Sequence, residues 1–354
     1  MVLINQCRHR IFLLCISFVL FYTPTLTGQR EQLEREIGKL IRYETRIDFS
    51  LVPGILVGVI DGDSMYICSF GQRLSADSAY ELGSVSQPVV AWLAMLACDS
   101  LGFGLEESVC SYLPDSLCHD QWTLLTTDQI LSQQSGLNRF PPSVGGGQED
   151  GQAPYAMYDR AKLAEDMRRA NPHPDAYAYS HFGYSVLNWL FDSVGGMEVF
   201  AQRRCFVPMK LEQTSWNVDD HDVATGHGLN GSTFSPWHVN SLNPSLGLKS
   251  SMNDLLTLTD FFCDRIANQL PPWNKMQVRE TKKAETDRTP QVVMGWYLTP
   301  SKKEWICYHE GRTGGHHVSI SFQPMSHKAV IVISNGALGS GQLCFLVLDM
   351  ISRV

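Results

Sequence analysis

Several patterns are missing from this chain of 354 residues, and each absence narrows its function. There is no Cys-x-x-Cys pair and no His-Glu-x-x-His, so a structural or catalytic zinc has little support, and neither metal nor cofactor is expected. Basic residues are the minority: 28 Lys and Arg against 36 Asp and Glu give a net charge of −8, which offers no footprint for nucleic acid. No internal repeat of the solenoid or propeller kind is present, and no low-complexity tract. Beyond the N-terminus no stretch reads as long enough to span a bilayer. What remains is an ordinary globular composition, 44% apolar and 18% charged, with room for one large domain or two moderate ones.

The N-terminus carries the pattern of an export signal. Arg8 and Arg10 precede an apolar run from Ile11 to Tyr22, and Leu26-Thr27-Gly28 offers a small residue for cleavage before Gln29. Residues 1–28 are therefore expected to be a signal peptide, with an uncleaved N-terminal anchor as the alternative because Leu26 fits the small-x-small rule poorly. Their removal takes away two arginines and leaves a net charge of about −10. The expected location is periplasmic or secreted. Eight cysteines then remain, in a compartment that permits disulfides. Cys110 and Cys118 flank Leu113-Pro114 and form a candidate bridge; buried or free thiols are the other reading.

Apolar periodicity predicts the elements. Glu31 to Arg46 has helical spacing, Ile55 to Ile60 reads as a buried strand, and Asp61-Gly62 signals a hairpin into a strand at Met65 to Phe70. Val89 to Leu101 reads as a buried helix, Thr126 to Ser132 as a short capped one, and Gly145-Gly146-Gly147 as a flexible loop. Further helices are predicted at Arg160 to Ala170, Tyr184 to Val194 and Asn253 to Arg265, the last capped by Asn253, with a final one at Cys344 to Ile351. Short strands are predicted at Val292 to Leu298, Trp305 to Tyr308, Val318 to Phe322 and Ala329 to Ser334. Strands at both chain ends and helices between them predict an α/β (α+β) fold. One antiparallel sheet would be built from about 29–83 and 245–354, flanked by helices, with a mainly helical insert over about 84–244 and a cleft between the two parts.

Four segments in order carry a family resemblance. Glu81-Leu82-Gly83-Ser84-Val85-Ser86-Gln87-Pro88 resembles the nucleophile segment of the class C β-lactamase, DD-peptidase and serine esterase family, where Ser-x-x-Lys opens a helix. Leu131-Ser132-Gln133-Gln134-Ser135-Gly136-Leu137 resembles its helix-turn segment, Tyr179-Ser180-His181 its Tyr-Ser-Asn motif, and His309-Glu310-Gly311-Arg312-Thr313-Gly314-Gly315 its His-x-Gly or Lys-Thr-Gly strand. Weaker echoes at Pro53-Gly54-Ile55, 208–214 and 246–255 extend the resemblance over roughly residues 30 to 352. It implies a β-lactamase/transpeptidase-like fold.

It also implies roles. Ser84 falls at the nucleophile position, although a serine at a helix start is most often a simple cap. The lysine position holds Gln87, which can orient Ser84 but cannot take its proton. Tyr179 matches the catalytic tyrosine, and a phenol needs a cationic neighbour to act as a base; the alternative is a half-buried core tyrosine. His181 replaces the usual asparagine and offers a substrate hydrogen bond or a base titrating near neutrality, unless it simply faces solvent. His309 and Gly311 match the strand that lines the cleft, the histidine binding an acyl carboxylate or relaying a proton, the glycine admitting substrate to the backbone. Arg312 is a carboxylate binder or a solvated strand end. His316 and His317 are expected to stay clear of the substrate, since His-His doublets are often surface features, and Gln133, where the family often has histidine, marks a second departure.

Two functions follow. One is an exported serine hydrolase acting on an ester, amide or peptide bond through a Ser84 acyl-enzyme, impaired or rewired by Gln87. The other is a non-catalytic relative that binds a peptide, a cell-wall fragment or a partner protein in the inherited cleft. Expected partners are small-molecule or peptide substrates.

Overall fold

The computed structural model describes residues 26–144, 155–268, 291–302, 304–336, 339 and 341–353. The apolar segment before Leu26 and the triple glycine at 145–147 lie outside the described residues.

Period-two apolar patterning builds the sheet. In β1 (Gly54–Asp61), Ile55, Val57 and Val59 enter one core, while Leu56 and Ile60 enter the other. β11 (Lys328–Ser334) alternates in the same way, with Val330 and Val332 on one side and Ala329, Ile331 and Ile333 on the other. A strand whose two faces are both apolar must be covered on both sides. Helix α1 (Leu26–Glu44) and the C-terminal α10 (Gly341–Ser352) cover one face through Ile37, Ile41, Leu343 and Val347. Helix α9 (Met252–Ala267) covers the other.

The sheet has seven antiparallel strands in the order β2-β1-β11-β10-β9-β8-β7, with β2 at Ser64–Gly71, β7 at Gln291–Val293, β8 at Trp296–Pro300, β9 at Trp305–Arg312 and β10 at His317–Gln323. Both ends of the chain thus meet in one sheet, as the strand pattern implied. Two short ribbons pair distant segments: β3 (Tyr80–Glu81) with β6 (Lys249–Ser250), and β4 (Gly226–His227) with β5 (Thr233–Phe234).

The helical insert packs beside this sheet. Its centre is α2 (Ser86–Leu101), buried along most of its length and stopped by the left-handed Gly102. With its preceding turn, Gly83–Leu101 is long and apolar enough to cross a membrane, contrary to the expectation from sequence, but 72% of it is buried inside the fold. Around it lie α3 (Thr127–Leu131) with a Thr126/Gln129 capping box, α4 (Arg160–Arg169) capped by Asp159, and α5 (His181–Asp192) capped by Ser180. A continuous helical stretch follows: α6 (Met197–Ala201), one π turn (Gln202–Phe206) and α7 (Val207–Met209); the short α8 (Asn243–Leu246) completes the insert.

Three local expectations change. The cap of α9 is Ser251, whose side chain accepts from the Asp254 amide, and Asn253 is already inside the helix. Val292 to Leu298 is a hairpin and not one strand, because Met294 and Gly295 both take positive φ. Helix α5 starts at His181, three residues earlier than its apolar run, since Ser180 supplies the cap. Cys110 and Cys118 are joined, with Cα atoms 5.4 Å apart, while Cys68, Cys98, Cys205, Cys263, Cys307 and Cys344 are buried single thiols.

Candidate active site

Ser84 sits on one 3-10 turn, Gly83–Val85, just ahead of α2. Three bonds fix this turn. Ser86 Oγ donates to Gly83 O (2.6 Å) and accepts from Leu248 N (3.1 Å), and Leu82 N donates to Leu248 O (3.0 Å). Strand β9 lies directly against it. A Cβ on Gly311 would fall 2.0 Å from Leu82 O and 2.8 Å from Ser84 N, and one on Gly83 would fall 2.9 Å from Arg312 N. Both positions admit only glycine, and Gly83 also needs its positive φ of 53°.

This contact places two backbone amides together. Thr313 N–H donates to His316 O (2.9 Å), so the odd-numbered residues of β9 carry its ladder with β10. The Arg312 amide therefore points to the opposite edge, where β8 has paired only as far as Tyr308. That open edge faces the Ser84 turn, so the Ser84 and Arg312 nitrogens both lie at the Gly83–Gly311 contact. Behind it, the buried Glu81 carboxylate accepts from Trp237 N (2.6 Å), Thr313 Oγ1 (2.9 Å) and His316 Nδ1 (3.1 Å). Burial pushes the Glu81 pKa up, but these bonds, led by His316, outweigh it and hold the carboxyl below its ordinary value. His316 is thus outside the cleft lining, as expected, but buried and bonded where a doublet suggested a surface feature, because it closes the β9–β10 turn onto Glu81. His317 is buried too and, contrary to the expectation that it would stay clear of the substrate, lines the cleft, because its place at the start of β10 opposite Arg312 turns it inward.

Gln87 is fully buried, and its hydrogen bonds have only one consistent polarity. The Ser180 amide donates to Gln133 Oε1 (2.7 Å), which fixes the Gln133 NH2 toward Gln87 Oε1 (2.9 Å). The Gln87 NH2 then faces Tyr179 Oη (3.1 Å) and His181 Nδ1 (3.2 Å). A backbone N–H at one end thereby sets the proton positions at the other. His181 accepts at Nδ1 and carries its proton on Nε2. Gln87 Nε2 donates to the Tyr179 hydroxyl, and Ser84 lies near enough to pull the Tyr179 pKa down.

Tyr179, His181 and His309 are all moved away from neutrality. Burial pushes Tyr179 up to about 12, against the opposing pull of Ser84, Arg139 and Gln87. Burial, with Arg139 and His309 adding to it, lowers His181 to about 3. The base titrating near neutrality and the solvent-facing histidine are both overturned for His181, which is 1% exposed and stacked on Phe140 with ring centroids 4.7 Å apart. Burial lowers His309 to about 4. Its Nδ1 lies 3.0 Å from Glu310 O, a pure acceptor, so Nδ1 carries the proton. The lone pair on Nε2 is buried without a partner.

These side chains line an open cleft of about 650 Å³. Ser84, Tyr179, His181, His309, Gly311 and Arg312 all face it; Gln87 stands behind Tyr179. Arg312 is exposed at the rim and no carboxylate pairs with it among the described residues. Two features escaped the sequence. Arg139, two residues past Ser-Gly-Leu, places its guanidinium 5.3 Å from the Tyr179 ring centroid. Phe140, Tyr155, Trp237, Tyr297 and Tyr308 give the cleft aromatic walls. The only sequence signal for Arg139 was a lone cation next to a recognised motif. Among the described residues one trio, Asp219, His221 and Asp222, brings ligand atoms within 4.8 Å of one another, but it is exposed and outside the cleft lining.

The beta-lactamase family model matches residues 44–344. Among solved structures, a class C beta-lactamase mutant superposes with a TM-score of 0.73 at 17% identity, covering 93% of this chain and 99% of that one. A class C beta lactamase from Rhodobacter sphaeroides gives 0.72 at 19% identity, covering 91% and 100%. A beta-lactamase/D-alanine carboxypeptidase from Yersinia pestis, complexed with citrate, gives 0.73 at 18% identity, covering 93% and 99%. Fold, motif order and a match over most of the chain agree: this protein belongs to the beta-lactamase family of serine hydrolase fold.

Proposed function

We propose that the protein is an exported acyl-transferring hydrolase of low intrinsic rate, acting on an activated ester, amide or lactam carbonyl through a Ser84 acyl-enzyme. The observation that carries this reading is the Tyr179 hydroxyl, which accepts from Gln87 Nε2 at 3.1 Å and shares the cleft with Ser84. With Gln87 as a donor on one side, the phenol oxygen keeps a lone pair for the Ser84 proton and turns its own proton toward the cleft. Ser84 Oγ attacks the carbonyl carbon, and its proton passes to Tyr179 Oη. In the same step Tyr179 gives its own proton to the departing nitrogen or oxygen. The oxyanion sits between the Ser84 and Arg312 amides, an arrangement worth several kcal/mol in acyl transfer, roughly 2.7–4 kcal/mol per donor. A water then repeats the relay in reverse and frees Ser84. No side chain changes its net charge.

The shuttle replaces a base, and the replacement is costly. General-base assistance contributes roughly 10² to 10⁴ in rate. Gln87 supplies none of it, and both histidines, neutral and lowered to about 3 and about 4, are weak bases. Export is supported by the signal-like N-terminus and by the Cys110–Cys118 disulfide. A peptide or cell-wall fragment fits the aromatic walls and the two rim arginines.

A second reading has its own observation. Gln87 is neutral and bonded at both ends of its amide, as in a cleft kept for binding alone. A fluorophosphonate probe separates the two. Slow stoichiometric labelling of Ser84, lost in Ser84→Ala, is the expected outcome. Absence of any adduct at saturating probe, with no ester turnover that Ser84→Ala removes, would leave the binding protein.

A further inference from the structure

A second cavity, of about 490 Å³, shares no lining residue with the Ser84 cleft. Its floor is apolar. Trp92 and Leu96 come from α2 and Phe261 from α9, and the Trp92 and Phe261 ring centroids are 4.7 Å apart. Its rim is cationic: Arg203 and Arg204 from the π turn, and Arg265 from α9 with its guanidinium 5.0 Å from the Phe261 ring centroid. No carboxylate lines it. Arg203 and Arg204 are exposed and have no ion-pair or hydrogen-bond partner among the described residues.

Two physical features make this more than a chance cluster. Neighbouring residues of an α-helix point about 100° apart, given 3.6 residues per turn. The wider π turn at Gln202–Phe206 narrows that angle, and consecutive arginines both reach one groove. Such single π turns are frequent at functional sites. The chain also carries a net charge of −8, so the exposed Arg203 and Arg204 beside one groove oppose the overall charge and form a local attractor for anions. Guanidinium matches carboxylate and phosphate oxygens, and an aromatic floor takes an apolar body.

We propose that this groove is a separate binding site for an amphiphilic anion. Its carboxylate or phosphate head is held by Arg203 and Arg204, and its apolar body lies over Trp92 and Phe261. The site does not depend on the Ser84 chemistry.

The test titrates the full mature chain with dodecanoate and with dodecyl phosphate, each below its micelle concentration, followed by calorimetry and tryptophan fluorescence. Saturable one-to-one binding is expected with at least one of them, and the tighter of the two identifies the head group. Arg203→Ala/Arg204→Ala should bind at least about tenfold more weakly, since charge-assisted hydrogen bonds are lost. Ser84→Ala should bind like the wild type, and added salt should weaken binding. Dodecyl maltoside and inorganic phosphate, each carrying one half of the recognition, should bind at least about tenfold more weakly. Because both arginines are exposed, the double variant keeps its fold, which its thermal midpoint checks. Equal binding of dodecyl maltoside, equal binding by the double variant, or no saturable binding of either anion overturns the proposal.

Discussion

Gln87 is held by its partners, and this changes what a lysine there would do. Its Oε1 already accepts from Gln133 Nε2 at 2.9 Å, and Gln133 cannot reverse because the Ser180 amide pins its oxygen. A lysine introduced alone would bring an ammonium against the Gln133 NH2, donor against donor, in a site with no solvent exposure at Gln87. Gln87→Lys is therefore expected to lose about 1–3 kcal/mol of stability, the cost of unsatisfied buried polar groups, with no gain in esterase rate. Gln133→Glu supplies the missing acceptor: one carboxylate oxygen takes the Ser180 amide and the other faces residue 87. The pair Gln87→Lys/Gln133→Glu should recover stability with a coupling of about 1–3 kcal/mol in a double-mutant cycle. Denaturant titration of the four proteins reads this directly, and additive losses would refute the amide polarity. Gln133 was legible in the sequence only as a second departure. Its φ of 60° and its bond to Gln87 make the two departures one unit.

At the scale of elements, the site is a contact between β9 and the turn before α2. Gly311→Ala would push a methyl into Leu82 O and lift the strand from Ser84. Overpacking of this kind costs about 1–3 kcal/mol, occasionally more. Fluorophosphonate labelling should fall at least about tenfold with it, because the Arg312 amide moves away. Glu81 works on the same contact from behind. It ties β3 to the 235–240 segment and to the β9–β10 turn through three accepted bonds. Glu81→Ala strands an amide, a hydroxyl and an imidazole N–H in the interior, and an expected loss of about 2–4 kcal/mol follows from hydrogen bonds to a buried charge. Urea melts measure the loss; a change below about 0.5 kcal/mol, typical of a surface position, would argue against the clamp. The sequence showed Glu81 only as part of a motif. Its partners lie 156 to 235 residues away in the chain, beyond the reach of any local pattern.

Across the whole molecule, burial of histidine sets the response to acid. His181, His309 and His317 are held at about 3, 4 and 4, chiefly by burial, against an ordinary value of 6.5. The unfolded chain takes up protons at these positions as pH falls below 6.5, and the folded chain does not, so stability declines from there down to about pH 3–4. Glu81, held below its ordinary carboxyl value, adds a loss at the lower end of this window. Each unit of depression corresponds to about 1.4 kcal/mol. The thermal midpoint is therefore expected to be highest above pH 7 and to drop steeply by pH 4.5; a flat profile between those values would count against the buried neutral histidines. At this same scale the limits of the sequence become clear. Apolar alternation in β1 and β11, the turn at Asp61-Gly62 and the caps at Thr126 and Ser180 are local chemistry, and they determined the elements within a few residues. The ordered motifs determined the family and the positions facing the cleft. The hairpin at Met294-Gly295, the burial of His316 and His317, the Arg139 guanidinium beside Tyr179 and the polarity of the Gln133–Gln87 chain were decided only by tertiary structure. The reason is physical: burial and hydrogen-bond direction depend on which distant segments meet, and here a backbone amide at Ser180 orients a glutamine on the far side of the chain.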